Sequence, residues 1–214
     1  MILCASSVKE DSLCTINQMV CKKIFLKIFL KILSNDKYRR MESEEHTMEQ
    51  GFICKIPTIE EMNRKWDYEI SRNEDNRENW VIWKRHALEN FMEGHTLPYY
   101  GLLNGEIICE ATAMLNPDKV QNSDGLVDSS TAYLAAFRTI PEYQGKGYFS
   151  KLFHYMLRDL KKRGYVRITL GVEPDELENK QIYKHFGFDE FIKKAQETYP
   201  DGTTIDVEYY GKRL

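Results

Sequence analysis

The sequence predicts an α/β protein built on one central, mixed β-sheet with flanking helices. Short apolar runs typical of strands alternate with amphipathic stretches at helical spacing, and a strand–helix–strand succession spans residues 131–173. An Asn104–Gly105 pair separates two further strand-like runs. Two strands joined through one helix are expected to be parallel, whereas Asn-Gly is typical of a tight antiparallel hairpin. The sheet should therefore contain both kinds of pairing.

The composition is that of an ordinary folded protein. The 214 residues are 42% hydrophobic and 29% charged, with a formal net charge of −3. This balance excludes disordered and collagen-like chains, and it lacks the basic excess that is typical of nucleic-acid binders. The five cysteines have no CxxC spacing, so the sequence predicts no disulfide framework, no metal site and a cytoplasmic location.

Residues 1–47 differ from the rest of the chain. The segment 22–33 reads KKIFLKIFLKIL, and on a helix its lysines would form a basic stripe beside a broad apolar face. One hypothesis is a helix that binds a membrane surface or a partner. The other is that residues 1–47 are not part of the native protein, since the Glu44–Glu45 codons before Met48 can form a ribosome-binding sequence. We therefore predict an N-terminal extension over 1–47 and a domain over 48–214.

The first half of this domain is predicted to place two helices between strands. Thr58 and Glu61 have the spacing of a capping box, which marks the start of a helix. In the next helix, apolar residues from Trp80 to Phe91 repeat at intervals of three and four, and Gly94 ends it. The predicted elements are a strand over 52–57, two helices over 59–72 and 80–93, and hairpin strands over 98–103 and 106–114.

The second half is predicted to be built on the strand–helix–strand unit. A polar loop over 116–130 precedes residues 131–140, whose apolar density is typical of a central strand. The following helix has an apolar face and ends at Gly164. The remaining predicted elements are a strand over 165–173, a helix over 177–186 and a terminal hairpin over 188–196 and 203–211. The edge of that hairpin offers a contact for a homodimer, although the sequence does not give the oligomeric state.

The turn between the central strand and its helix carries the clearest functional signal. It reads PEYQGKG over residues 141–147. Glycines at a helix N-terminus let backbone N–H groups approach an anion, and the helix dipole favours negative charge there. The pattern fits neither a Walker loop nor a dinucleotide fingerprint. The residues alone leave two interpretations open, namely a phosphate cradle and a tight turn in which the glycines serve only the backbone.

With its flanking strand and helix, this turn resembles the acyl-coenzyme A loop of the GNAT superfamily of N-acetyltransferases, whose pattern is (Q/R)-x-x-G-x-(G/A). Gln144 and Gly147 match, and Phe149 stands where Gly or Ala is usual. Residues 182–188, IYKHFGF, resemble the family's (L/I)-Y-x-x-x-G-F segment, and the order of elements agrees from about residue 51 onward. The resemblance implies a GNAT-like fold with a βαβ acyl-CoA-binding unit, and an N-acetyltransferase that uses acetyl-CoA as cosubstrate.

The resemblance also implies which residues contact the cosubstrate. In this family the pantetheine arm enters a gap between the central strand and the next parallel strand, where it pairs with exposed backbone. The pyrophosphate is expected at the loop and at the first turn of the helix. The family often has an Asn seven residues before the Tyr that contacts the arm, but here Glu176 stands at that place. Asn179, four residues before Tyr183, is either the arm contact or an ordinary helix-surface residue. The implied cofactor-binding residues are Phe137, Thr139, Gln144, Gly145, Lys146, Gly147, Tyr148, Phe149, Ser150 and Asn179.

The chemistry requires that the attacking amine lose a proton and that the leaving thiolate gain one. Tyr183 of the second motif is implied as the general acid, because a phenol stays protonated at neutral pH. Glu110, in a strand of apolar and small residues, and Glu173, at the end of the strand that borders the gap, are alternative bases. Cys54 and Cys109 have no neighbouring base, so we expect buried thiols and direct transfer.

The leading hypothesis is transfer of the acetyl group to a primary amine of a small molecule or peptide. Its alternative is a non-catalytic acyl-CoA-binding sensor or interaction module, which needs the cradle but neither Tyr183 nor a base. The acceptor pocket is expected between the early helices, the strand with Tyr99 and Tyr100, and the loop 116–130. No nucleic-acid partner is expected, and membrane contact is expected only if residues 22–33 are functional.

Overall fold

A mixed β-sheet of seven strands organises the part of the chain that the computed structural model describes, which is residues 51–73, 77–198 and 202–214. The strands are β1 (Phe52–Lys55), β2 (Thr96–Leu103), β3 (Glu106–Met114), β4 (Thr131–Thr139), β5 (Arg167–Val172), β6 (Glu190–Thr198) and β7 (Thr204–Arg213). The α-helices are α1 (Ile59–Arg72), α2 (Arg77–Met92), α3 (Tyr148–Lys162) and α4 (Leu177–His185). The predictions for residues 1–47, with the basic segment 22–33, lie outside the described residues. Within those residues, no helix is long and apolar enough to cross a lipid bilayer.

The strand order confirms the predicted mixed sheet. Neighbours follow the order β1-β2-β3-β4-β5-β7-β6, and each pair is antiparallel except β4 and β5. These two strands and α3 therefore form the predicted strand–helix–strand unit in the middle of the sheet. The second strand of the terminal hairpin, β7, lies beside β5, which places β6 at the edge of the sheet.

Local sequence signals explain two of the boundaries. The Thr58 hydroxyl accepts a hydrogen bond from the Glu61 backbone N–H at 3.2 Å, and the Glu61 carboxylate accepts one from the Thr58 N–H at 2.8 Å. This reciprocal capping box starts α1 as predicted. Between β2 and β3, Asn104 and Gly105 have φ values of 51° and 84°, which are the left-handed conformations that a tight primed hairpin turn requires.

Helices cover both faces of the sheet. Successive residues of a strand point to opposite faces. Tyr100 therefore packs with the tryptophans of α1 and α2, whereas the Tyr99 hydroxyl on the other face donates to Asp159 of α3 at 2.8 Å. The apolar side of α3, which includes Leu152 and Met156, is fully buried in the larger core. The sheet is thus a central layer between α1–α2 and α3.

The loop 116–130 lies against the edge strand β6. The Gln121 side chain exchanges two hydrogen bonds with the backbone of Thr198, at 2.8 and 3.0 Å. Asn122 donates to the Gln196 carbonyl at 2.9 Å. Side-chain amides therefore form hydrogen bonds with backbone groups at one end of this edge strand. Proteins often cover edge strands in this way, which prevents pairing with another chain. A homodimer contact at the edge of the terminal hairpin stays a prediction.

Glu208 of β7 ties the terminal hairpin to α4. Its side chain is 8% exposed and forms ion pairs with Lys180 at 2.5 Å and with Lys194 at 2.6 Å. The Tyr210 hydroxyl adds a hydrogen bond at 2.9 Å. The hydrogen bonds from Lys180 and Lys194 lower the pKa of the Glu208 carboxyl to about 2. These contacts hold the N-terminal half of α4 against the sheet.

We expect Glu208→Gln to lower the free energy of unfolding at neutral pH by more than the about 0.5 kcal/mol typical of surface substitutions. Because folding depresses the pKa from 4.5 to about 2, the stabilisation is fully present above about pH 4.5 and is lost as the pH falls through about 2. Urea unfolding of both proteins at neutral pH and near pH 2 measures this. The exposed Glu142→Gln variant is the control. A stability difference that does not change with pH would contradict the assignment.

Candidate active site

A gap opens between the two parallel strands in the middle of the sheet. β4 and β5 pair only from Thr131 to Tyr133, opposite Arg167 to Thr169. Both strands continue beyond this point without pairing to each other, although β4 stays bonded to β3. Ala136, with φ 54°, forms a bulge in β4 where the register against β3 shifts. Phe137 and Thr139 therefore lie in the part of β4 that is beyond its ladder with β5.

The loop after β4 leads into the N-terminus of α3. Gly145 and Gly147 have φ values of 71° and 81°, and Gly147 is the N-cap residue. No side chain caps this helix and its first turn has no acidic residue, so no acidic side chain of that turn offsets the positive end of the helix dipole. The Gln144 amide donates to the Thr139 carbonyl at 2.8 Å, which fixes the loop to the end of β4.

The first turn of α3 turns its side chains inward. Tyr148, Phe149 and Ser150 are all buried. The Phe149 ring packs edge-on against the Phe137 ring of β4, with centroids 5.4 Å apart. This core position accommodates a phenylalanine where Gly or Ala is usual. Lys146 is exposed beside Tyr143 and adds a positive charge to the loop.

Helix α4 brings the second motif to the same gap. The ring of Tyr183 is half-buried, 6.1 Å from the ring of Phe137 in β4 and 6.3 Å from that of Phe188. Asn179, one turn earlier, is 1% exposed and donates from Nδ2 to Glu176 at 3.0 Å. Its Oδ1 atom is buried and accepts no hydrogen bond from the described residues. A buried acceptor without a donor is rare in proteins, and it fits the amide N–H of a pantetheine arm.

A cavity of about 380 Å³ lies between α1 and the β3–β4 pair. It contains Glu110, one of the two predicted bases, whereas Glu173 at the end of β5 is not among its lining residues. The lining residues are Arg64, Lys65, Tyr68, Glu69, Gly105, Glu106, Ile107, Ile108, Cys109, Glu110, Arg138 and Ile140. The expected acceptor pocket is thus only partly right. Tyr99 and Tyr100 are buried in the cores, and the loop 116–130 lies against β6 instead.

Four charged side chains form one wall of this cavity, and we call them the charge cluster: Lys65, Glu69, Glu110 and Arg138. Lys65 Nζ lies 3.1 Å from Glu110 Oε1, and Arg138 pairs with Glu69 and lies 4.0 Å from Glu110. Their side chains are only 7–17% exposed. Sequence reasoning found Glu110 alone. The sequence did contain a signal for the rest of the cluster, because Arg138 is a charged residue in an otherwise apolar central strand. In the sheet, Arg138 lies directly opposite Glu110.

The two cysteines of the sheet are unsuited to carry an acyl group. Burial raises the pKa of the Cys54 thiol to about 11 and raises that of Cys109 well above its usual value. Because the thiolate is the nucleophilic form, both stay inert at neutral pH. Cys109 is buried as predicted, whereas Cys54 is only half-buried.

Comparison with known proteins agrees with this geometry. The family model described as "Acetyltransferase (GNAT) family" matches residues 57–188. A search of curated proteins gives no match.

Similar solved structures include the RimL ribosomal L7/L12 α-N-protein acetyltransferase in complex with coenzyme A, which is 12% identical with a TM-score of 0.57, over 78% of this chain and 97% of that chain. The ribosomal-protein-alanine N-acetyltransferase from Brucella melitensis is 14% identical with a TM-score of 0.54, and the match covers 76% of this chain and 99% of that chain. The microcin C7 self-immunity acetyltransferase MccE, in complex with acetyl-CoA and AMP, is 13% identical with a TM-score of 0.56, and the match covers 78% of this chain and 94% of that chain. At these identities the likenesses concern the fold.

The family match covers more than half of the chain, including both motifs that carried the resemblance. It confirms the predicted fold, the predicted acetyltransferase class and acetyl-CoA as the cosubstrate. The residues of the gap fit that cosubstrate, since an uncapped helix N-terminus and an unsatisfied Asn179 oxygen lie along it. On these grounds the chain belongs to the GNAT family of acetyltransferases.

Proposed function

We propose that this chain transfers the acetyl group of acetyl-CoA to a primary amine of a small molecule or peptide, by direct attack in a ternary complex. The observation that carries the proposal is the gap between β4 and β5, which opens beside Tyr183 and leads to the uncapped N-terminus of α3. The cavity volume supports a small molecule, and the similar structures named as ribosomal-protein acetyltransferases support a peptide amine.

Binding of the cosubstrate is assigned to backbone more than to side chains. The N–H groups from Gly145 to Ser150 would hold the pyrophosphate, with Lys146 as a mobile counter-charge. The backbone of Phe137 and Thr139 lies beyond the end of the β4–β5 ladder and would bond the pantetheine arm like an added strand. Asn179 Oδ1 would accept from an amide N–H of the arm.

The proposal assigns a proton transfer to each of two side chains, and the second amine proton, lost as the amide forms, restores the Tyr183 phenol. Glu110, in the cavity, takes a proton from the acceptor ammonium, so that the amine lone pair attacks the thioester carbonyl. Tyr183, beside the gap, gives a proton to the departing sulfur. The raised thiol pKa values of Cys54 and Cys109 support direct transfer over an acyl-enzyme. Glu173 remains the alternative base.

Thiol release from acetyl-CoA, measured with a panel of primary amines, tests the proposed function. We expect release that requires both the protein and an amine. Release at the same rate with and without an amine would contradict amine acetylation.

Glu110→Gln is expected to lower kcat/KM by roughly 100-fold or more at neutral pH, the range of general-base contributions. The loss should shrink as the pH approaches the pKa of the free amine, ~10, because the acceptor then ionises without help. A pH profile of both proteins measures this, with unchanged CoA binding as the check on folding. The matched Glu173→Gln variant is expected to stay near wild type. A larger loss in Glu173→Gln would reassign the base.

A further inference from the structure

The acceptor cavity has two chemically different parts. One wall is the charge cluster, in which two cations and two carboxylates lie within 4.0 Å of a partner. The rest is largely apolar and includes Ile107, Ile140 and the ring of Tyr68, which is 43% exposed. A volume of about 380 Å³ lies at the small end of the ligand-site range of about 300–1,000 Å³. The cavity therefore suits a compact molecule with one polar and one apolar end.

The charges of the cluster are balanced. Lys65 pairs with Glu110, and Arg138 pairs with Glu69, so the four side chains carry no net charge. An acceptor ammonium that binds Glu110 must share or displace Lys65. Because an uncompensated charge in a desolvated site is costly, the cation left over needs a new negative partner. A ligand that brings its own anion supplies that partner.

We propose that the acceptor is a free α-amino acid with an apolar side chain, an inference that rests on the proposed function. Its ammonium takes the place of Lys65 beside Glu110, and its carboxylate pairs with Lys65 and Arg138. Its side chain packs on the apolar part of the cavity. A zwitterion is the one ionic form of an amine that enters this cluster without changing its net charge.

The reaction is balanced within the proposed function. The ammonium gives one proton to Glu110, the amine nitrogen forms a bond to the acetyl carbon, and the carbon–sulfur bond breaks. The sulfur takes a proton from Tyr183. The nitrogen loses a second proton as the amide forms, and this proton restores the Tyr183 phenol. The products are an N-acetylated amino acid and CoA, and the proton on Glu110 passes to solvent. A polyamine would add several positive charges to the cluster, and a peptide N-terminus would bring an ammonium without an adjacent carboxylate.

Calorimetry on the full chain saturated with CoA tests this with a ligand series that needs no variant. The probes are L-leucine, glycine, leucinamide without the carboxylate, isocaproate without the amine, and spermidine. We expect L-leucine to bind at least tenfold more tightly than each of the others. Equal or tighter binding of leucinamide would overturn the proposal in favour of a peptide N-terminus, and tighter binding of spermidine would overturn it in favour of a polyamine.

A variant adds an independent readout. Arg138→Gln is expected to shrink the ratio of leucine affinity to leucinamide affinity at least tenfold, whereas Arg158→Gln, an exposed position on α3, leaves it unchanged. An unchanged ratio in folded Arg138→Gln would contradict the carboxylate contact. Heat with CoA but none with leucine overturns the amino-acid assignment alone. Absence of heat with CoA itself would overturn the proposed function as well.

Discussion

A Tyr183→Phe variant is expected to bind CoA as tightly as the wild type and to lose roughly 100-fold or more in kcat. The ring lies against Phe137 and Phe188, so phenylalanine preserves the packing and removes only the hydroxyl. Without that O–H, the departing thiolate loses the proton donor that we propose for it. Steady-state kinetics together with calorimetry separate the two effects.

A second tyrosine provides the matched control. Tyr165 is half-buried at the edge of the same core, just before the start of β5, and burial raises its pKa. Tyr165→Phe is expected to keep full activity. Unchanged kcat in Tyr183→Phe would remove this residue from the chemistry, and an equal loss in both variants would point to packing as the cause.

Gly147→Asp is expected to weaken CoA binding at least tenfold, about 1.4 kcal/mol, while leaving the fold intact. Asp is a favoured N-cap residue, and Asp tolerates the left-handed φ of 81° better than most residues. A Cβ at this position meets no atom within 4 Å. The variant therefore adds a negative charge where the diphosphate is assigned, without a clash inside the protein.

The neutral Gly147→Asn variant has nearly the same shape and tests charge alone. We expect it to bind CoA much more tightly than Gly147→Asp, and we expect the difference to shrink at high salt, which screens exposed charges. Calorimetry at two salt concentrations measures both. Equal affinities of the two variants would contradict an anion site at this helix terminus.

Local patterns made much of the fold predictable. The Thr58 capping box and the Asn104–Gly105 turn involve neighbours in sequence, so the residues alone determine their geometry. The loop before α3 was predictable for the same reason, since Gly145 and Gly147 adopt the conformations that glycine favours.

The acceptor side was not predictable in this way. Lys65 and Glu110 are far apart in sequence and meet only because α1 packs over β3. Ala136 adopts a positive φ in the β4 bulge, although alanine gives no signal for it. Gln121 covers part of the β6 edge through side-chain bonds to backbone, which no periodicity reveals. Tertiary contacts decide each of these features.

The central claim is that the gap and the N-terminus of α3 together bind acetyl-CoA through its arm and its diphosphate. Calorimetric titration of the full chain with CoA and with pantetheine, which has the arm but no diphosphate, tests it most directly. We predict one CoA bound per chain, and pantetheine bound at least tenfold more weakly, as loss of charge-assisted hydrogen bonds implies. No heat with CoA, or equal affinity for pantetheine, would contradict the claim.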